Sequence, residues 1–271
     1  MLTVVFTALF GLLTGVGLWL GGVFGYGWSA FFGVLAFIVS NAVAGMMLQK
    51  RVKAQMMRVQ GVLAAGQKQI QAKVARWQMQ MRGPGSIQQA QAEIARDTKG
   101  FVADALVECD KLHSFDLWVP LMKKQIATAK LQLYWMVKDF AHVDELMPKA
   151  LFLDPTMRAM RIARMYMNGA PTEEIAKVYE KSCTRLRYNQ NVLIAATWSW
   201  ILVKRGDADA AFKVLVRALE KSDNATLKSN RDQLANNRVA HFTNTALGEQ
   251  WFALQLEEPK MHGPRQRMQW R

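Results

Sequence analysis

Residues 2–20 read LTVVFTALFGLLTGVGLWL, residues 28–48 read WSAFFGVLAFIVSNAVAGMML, and no charged side chain occurs before Lys50. Each run is close to the roughly 20 apolar residues that an α-helix needs to cross a hydrocarbon core. The seven residues between them, 21–27, include four glycines and suit a tight turn. The stretch 1–49 therefore predicts a transmembrane helical hairpin.

A cleaved signal peptide is the competing interpretation of this stretch, because Ala42-Val43-Ala44 resembles a cleavage site. A signal peptide begins with basic residues and carries about 7–15 apolar residues before that site. Here no Lys or Arg precedes the first run, and the apolar region is much longer. We therefore expect both helices to remain in the protein.

The charges that flank the second run predict the orientation of the chain. The basic residues that follow this run, which we expect to lie near lipid headgroups, are Lys50, Arg51, Lys53 and Arg58. The turn at 21–27 carries no charge. By the positive-inside rule, both the N-terminus and the bulk of the chain face the cytoplasm. The expected protein is an integral, multi-pass membrane protein with two spans.

Small residues recur at spacings of four in the apolar stretch, which lets helix backbones approach closely. The glycines concerned are Gly11, Gly15, Gly17, Gly21 and Gly25. Two uses remain open: the two spans pack on each other, which we favour, or the glycines contact a second copy or another membrane protein.

Residues 50–82 contain eight Lys or Arg and no acid, and their apolar residues recur every three or four positions. This pattern predicts a basic juxtamembrane helix that continues the second span. Its apolar stripe has three candidate partners: the next helix of its own chain, an anionic lipid surface, or a second copy in a homo-oligomer. No nucleic-acid-binding motif accompanies the charge, so nucleic acid is not an expected partner.

Gly83-Pro84-Gly85-Ser86 predicts a linker, because glycine and proline break helices. Residues 87–123 then form a helical connector with one helix over 87–112. At the other end, residues 257–271 are basic and predict a disordered tail.

From about residue 124 the chain repeats itself, since residues 124–155 superpose on 192–223 with an offset of 68, twice 34. In this superposition Lys138-Asp139 falls on Gly206-Asp207, and Ala150 falls on Ala218. Residues 162–182 fill the gap with a two-residue shift. Each unit is predicted to be a helix, a short turn and a second helix.

The matched positions are Leu131, Tyr134, Asp139, Ala150 and Asp154-Pro155 in the first unit, Ala163, Tyr166, Gly169 and 173–182 in the second, and Trp198, Gly206-Asp207, Ala211, Leu215, Ala218 and Asp223-Asn224 in the third. This pattern resembles the tetratricopeptide repeat (TPR) family over about residues 124–224. Val143, Ile175 and Pro171 depart from it. The resemblance implies an α-solenoid over 124–256, with residues 225–238 continuing the stack and 241–256 as its C-terminal cap.

In this family the first helices of successive units line a concave groove, which implies a site for a protein or peptide. The implied groove residues are Thr128, Gln132, Trp135, Met160, Arg164, Met167, Trp200 and Lys204. Basic and apolar side chains together would suit a partner with an acidic residue beside an apolar anchor. The alternative for Trp135 and Trp200 is that each completes the core between helices.

The residue types that carry catalysis or bind cofactors form no recognisable pattern. No phosphate-binding loop occurs, and the two cysteines and four histidines are scattered. We therefore expect no catalytic, cofactor or metal site and no enzyme. The preferred function is a membrane-anchored helical-repeat scaffold that binds a partner at the cytoplasmic face. The alternative is a structural subunit of a larger membrane complex, contacting it through the glycine-rich hairpin.

Overall fold

The computed structural model describes residues 2–22, 25–80, 84–184 and 186–258, and every regular element within these ranges is helical. This confirms the predicted all-α class. The chain divides into two compact units, Met1–Leu151 and Phe152–Arg271, and the boundary falls inside the predicted 124–256 domain. Residues 23–24 of the predicted turn, 81–83 before and within the predicted linker, and 259–271 of the predicted tail lie outside the described residues.

The α-helices described in the first unit are α1 (Leu2–Leu20), α2 (Tyr26–Gln80), α3 (Pro84–Asp110), α4 (Met122–Met136) and α5 (Phe140–Leu146). Those in the second unit are α6 (Pro155–Met167), α7 (Thr172–Cys183), α8 (Val192–Lys204), α9 (Ala208–Leu219), α10 (Ala225–Ala235) and α11 (Glu249–Phe252). Short 3₁₀ turns cover Lys111–Phe115, Met147–Lys149, Val239–His241 and Thr245–Leu247.

The first two helices match the two predicted apolar runs. Helix α1 has the bounds of the first run, and α2 continues from the second run into the basic segment over 55 residues. No proline interrupts α2, and glycine inside a helix costs only about 1 kcal/mol relative to alanine, so Gly61 and Gly66 do not end it. Both helices are long and apolar enough to cross a membrane.

Helix α3 runs back along the basic half of α2. Near its C-terminal end, the Gln55 amide donates to a Glu108 carboxylate oxygen over 2.9 Å. At the opposite end of the contact between these two helices, Lys73 forms ion pairs with Asp97 and Glu93. Hydrogen bonds to these two carboxylates raise the pKa of Lys73 above its usual value. The two contacts fix an antiparallel register between α2 and α3.

The apolar stripe of α2 packs against its own chain. A Cβ atom placed on Gly66 would lie 2.5 Å from Cγ of Phe101, so the absence of a side chain lets α3 approach here. The shared core contains Val59 of α2. The other buried members of this core are Val102, Ala105, Cys109, Leu112, Met122, Ile126 and Leu133. Of the three partners considered for the stripe, the structure places α3 against it.

The predicted break between α2 and α3 is shorter than expected. Helix α3 begins at Pro84, so Pro84–Ser86 belong to its first turn and not to a linker. Proline is favoured at the first helical position, where its missing N–H needs no partner. The helix predicted over 87–112 ends at Asp110, and the chain continues as the 3₁₀ turn Lys111–Phe115.

Three helix pairs, α4–α5, α6–α7 and α8–α9, are joined by turns of one kind. Lys138, Gly169 and Gly206 lie in the left-handed region, at φ 58°, 72° and 85°. After each, the next N–H donates to the carbonyl five residues earlier over 2.9–3.0 Å, which satisfies a free carbonyl at the helix end. Asp139 and Asp207 then cap α5 and α9. Lys138-Asp139 and Gly206-Asp207 therefore occupy turns of the same geometry.

The predicted match between the first and third units does not extend to the ends of their second helices, α5 and α9. Ala218 is buried inside α9, whereas Ala150 lies in extended backbone after a 3₁₀ turn and is half-buried. Pro148 explains the difference, because a proline cannot donate the backbone hydrogen bond that an α-helix would need there. Helix α5 therefore ends at Leu146, and the predicted match of Ala150 with Ala218 is wrong.

The last predicted helices also differ. Helix α10 ends at Ala235 rather than at 238. The cap predicted as one helix over 241–256 is instead a 3₁₀ turn followed by the short helix α11. Gly248 separates them at φ 63° and ψ −137°, a conformation that only glycine adopts readily. Asn244 anchors this segment, because its buried amide donates to the Ala196 carbonyl over 2.9 Å.

Candidate membrane-binding site

Helices α1 and α2 approach each other through three glycines. A Cβ atom on Gly11 would lie 2.8 Å from the Gly33 carbonyl oxygen, and one on Gly33 would lie 3.1 Å from Cα of Gly15. Further along, a Cβ on Gly15 would lie 3.2 Å from the Ser29 carbonyl oxygen. Positions 11 and 15 thus face 33 and 29 in antiparallel order, and backbone touches backbone.

The predicted packing glycines therefore divide into two groups. Gly11 and Gly15 form the contact between the two helices, as favoured. Among the described residues, no neighbouring atom lies within 4 Å of a Cβ placed on Gly17 or Gly25, and Gly21 lies in the turn after α1. Gly33 was missed, although its spacing of four from Ser29 is the small-residue pattern that singled out the others.

The outward surface of these two helices is apolar and uncovered. In the most apolar segment of each helix, only 11% (α1) and 6% (α2) of the residues are buried. Three hydroxyl groups of these helices are bonded to their own helix: the buried Thr7 and the more accessible Thr14 and Ser40 each donate to a carbonyl three or four residues earlier. The side chains with large apolar exposure include Phe10, Leu13 and Ile38.

A group of four cations follows this apolar surface directly. Lys50, Arg51, Lys53 and Arg58 are all exposed, within a little over two turns of α2. They follow the apolar run on the same continuous helix, at the end of the run where α2 goes on to pack against α3. The predicted lipid-proximal residues thus form one group on one helix.

The predicted groove residues are divided between the two compact units. Thr128, Gln132 and Trp135 belong to α4 in the first unit. Trp135 is buried and makes an edge-to-face contact with Phe140, so it is a core residue. Thr128 accepts a hydrogen bond from the Leu151 N–H over 2.8 Å, and Gln132 is exposed.

The remaining groove residues lie on the packed helices α6 and α8 in the second unit. Met160 and Trp200 are buried, so Trp200 is a core residue, as in the alternative considered for it. Arg164 and Met167 are half-buried. Lys204 is exposed, and its Nζ lies 5.1 Å from the centre of the Trp200 ring.

Residues far away in the sequence explain the burial of Trp200. Its ring makes edge-to-face contacts with Tyr166 and Trp251, at centroid distances of 5.5 and 5.8 Å. Its indole N–H donates to one carboxylate oxygen of Glu257 over 2.8 Å, and Trp251 donates to the other. Glu257 thus connects α8 with the segment after α11.

The described residues contain no group of three or more His, Cys, Asp or Glu side chains suited to a metal ion. Burial raises the pKa of both thiols, Cys109 and Cys183, which disfavours the nucleophilic thiolate form. The chain matches no protein-family model, and comparisons with curated proteins and with solved structures found no match.

Proposed function

We propose that this chain is a membrane-anchored helical scaffold, with α1 and the apolar half of α2 crossing a bilayer as a hairpin. The carrying observation is the apolar surface of these helices, of which almost nothing is buried by the rest of the chain. Two core helices of a soluble protein would be mostly covered. An uncovered apolar surface of this size calls for lipid around it.

The continuity of α2 supports retention of both helices. The small-residue sequence Ala42-Val43-Ala44 lies inside an uninterrupted helix, and cleavage there would remove α1 and its glycine contact with Gly33. The hydroxyl groups bonded to their own helix also suit a hydrocarbon environment, where a polar group has no water to bind.

The cations after the second span support a cytoplasmic location for the bulk of the chain. Lys50, Arg51 and Lys53 are exposed within one turn of each other, and positive residues concentrate on the cytoplasmic side of membrane proteins. In this orientation the N-terminal end of α1 is cytoplasmic too, and the turn after α1 is on the far side.

The helix pairs support a relationship to the TPR family and a role in binding a protein or peptide. Three pairs share the same left-handed turn, and within the second unit the first helices α6 and α8 pack together. Of the groove residues on these two helices, Arg164, Met167 and Lys204 are at least partly accessible. These residues are two cations and one apolar side chain, which suits a segment carrying an acid beside an apolar anchor.

The alternative function, a structural subunit held through its hairpin glycines, has less support. Gly11, Gly15 and Gly33 are occupied by the contact between α1 and α2. Gly17 on α1 and Gly27 and Gly45 on α2 remain open, but none of them lies four residues from another glycine of its own helix.

Cysteine labelling tests the topology in intact cells. In a Cys183→Ser background, Gly25→Cys should react with a membrane-impermeant maleimide, because position 25 has open space and lies at the turn. The matched Ser229→Cys, exposed on α10, should react only after lysis. Labelling of Ser229→Cys but not Gly25→Cys in intact cells would refute the orientation, and equal labelling of both would refute the two-span arrangement.

Charge reversal tests the binding surface. The pair Arg164→Glu and Lys204→Glu should reduce cross-linked capture of cytoplasmic partners by at least about tenfold, equivalent to 1.4 kcal/mol. The control pair Lys177→Glu and Lys213→Glu changes the net charge equally on exposed positions of α7 and α9. Circular dichroism shows whether each variant is folded. Folded variants with equal capture from both pairs would rule out this surface.

A further inference from the structure

The segment between the 3₁₀ turn Lys111–Phe115 and α4 lies against the start of α1. The Leu2 N–H donates to the Leu117 carbonyl over 2.9 Å, and the Thr3 hydroxyl donates to the Trp118 carbonyl. The rings of Phe6 and Trp118 are stacked, with centroids 6.0 Å apart and planes at 18°. Residues 115–121 therefore lie at the same end of α1 as its first apolar turn.

The register of α3 brings the segment to this position. The Gln55 amide donates to both the carbonyl and the carboxylate of Glu108, so the end of α3 lies beside α2 a little past Lys50. The chain then turns over Lys111–Phe115 towards α1. In the proposed hairpin, residues 115–121 are thus level with the transition from the apolar to the basic part of α2.

The apolar side chains of this segment and of the first residue of α4 divide between the core and the exposed surface. Phe115, Val119 and Met122 pack on the core that α2, α3 and α4 share. Leu117, Trp118 and Leu121 are exposed by 64%, 37% and 59%.

The exposed position of Leu121 is also strained. Its φ of 63° is left-handed, a region that a leucine enters only at a cost. In water the segment would combine this strain with three uncovered large apolar side chains.

We propose that Leu117, Trp118 and Leu121 insert into the interfacial layer of the bilayer that α1 and α2 span. The inference rests on the proposed function, because it takes the bilayer to surround that hairpin. Two hydrogen bonds join this segment to the first turn of α1. They make the patch of Leu117, Trp118 and Leu121 continuous with the apolar surface of the hairpin. Tryptophan rings favour the headgroup level, with one edge apolar and one polar.

The charges around the patch complement an anionic lipid surface. Lys123 and Lys124 follow it in the sequence and are exposed, Lys111 before it is paired with Glu108, and Lys50 and Arg51 lie at the same level of α2. Cations beside inserted apolar side chains are the combination that binds interfacial segments to anionic membranes. The contact would hold the end of α3 and the start of α4 at the membrane surface. The helices of the first unit that lie outside the bilayer would then be attached to it at a second point, in addition to α2.

Depth-dependent quenching of a fluorescent label tests the insertion. The full chain with Cys183→Ser is reconstituted into vesicles of equal parts phosphatidylcholine and phosphatidylglycerol, with an environment-sensitive label on Leu117→Cys or Leu121→Cys. Lipids with a nitroxide near the headgroup should quench both labels at least about threefold more than a label on Ala95→Cys, an exposed position on α3 far from the span.

A label on Leu13→Cys, in the middle of α1, separates the two proposals. Quenching of this label by a nitroxide deep in the acyl chain is expected from the hairpin itself, and its failure would refute the proposed function. If Leu13→Cys is quenched but the labels at 117 and 121 behave like that at 95, the interfacial insertion is refuted. Leu117→Glu should lower the shallow quenching of a label at 121 to the Ala95→Cys value, because a carboxylate resists entry into an anionic interface. Unchanged quenching in this variant would equally overturn the proposal.

Discussion

Replacing Leu13 and Ile38 together with arginine should abolish integration of the chain into membranes. These side chains lie near the middle of the two apolar runs and are exposed by 72% and 56%, so no protein would shield the new charges. Each arginine at the centre of a transmembrane helix costs about 2.5–3.5 kcal/mol. The expected result is loss of the fraction that floats with membranes in a density gradient after an alkaline carbonate wash.

Flotation separates membrane-integrated chains from aggregates, which sediment. The matched control is Leu153→Arg with Val216→Arg, because both are exposed apolar side chains of the second unit. This control should float as the unmodified chain does. Persistent flotation of the Leu13→Arg, Ile38→Arg variant would mean that lipid does not surround the two helices.

Gly33→Leu should separate α1 from α2 and strongly destabilise the detergent-solubilised protein. The first atom of the new side chain would already lie 2.9 Å from the Gly11 carbonyl oxygen and 3.1 Å from Cα of Gly15. Both are backbone atoms, so one helix must move to make room. Overpacking of this kind costs about 1–3 kcal/mol, and a shift of a whole helix adds to it. We expect the temperature at which the monodisperse peak disappears after heating to fall by several degrees.

Gly17→Leu is the control for this substitution. It adds the same side chain on α1 at a position where no neighbouring atom of the described residues lies within 4 Å of a Cβ, so the heating midpoint should stay unchanged. An equal fall for both variants would show a general effect of leucine in these helices. No fall for Gly33→Leu would mean that the glycine contact does not hold the two helices together.

Local patterns were sufficient to predict α1, α2 and two of the turns between later helices. The bounds of α1 follow from an uninterrupted apolar run, and the length of α2 follows from apolar spacing without proline. The matching turns at Lys138 and Gly206 were visible as a repeated dipeptide with aspartate, because aspartate is a common helix cap. Each of these features is decided within a few residues of the chain.

Features that depend on distant contacts could not be predicted in this way. Trp200 is buried because Tyr166, Trp251 and Glu257 meet around it, and the last two come from beyond residue 250. The spacing of apolar residues in α8 would be the same whether Trp200 lay in the core or in a groove. The early end of α5 is different, since Pro148 was visible and its effect on the helix was overlooked.

The continuity of α2 has a mechanical consequence in the proposed orientation. The helix passes from bilayer to cytoplasm without a hinge, and α3 packs along its outer half, so the two halves must rotate together. Its roughly 30 residues beyond Lys50 amount to about 45 Å of rigid lever. Spans tilt when the bilayer becomes thinner, and a change of about 10° would displace the far end of this lever by about 8 Å. Because most of this displacement is parallel to the membrane, bilayer thickness would thereby set the lateral position of the tip of the α2–α3 pair.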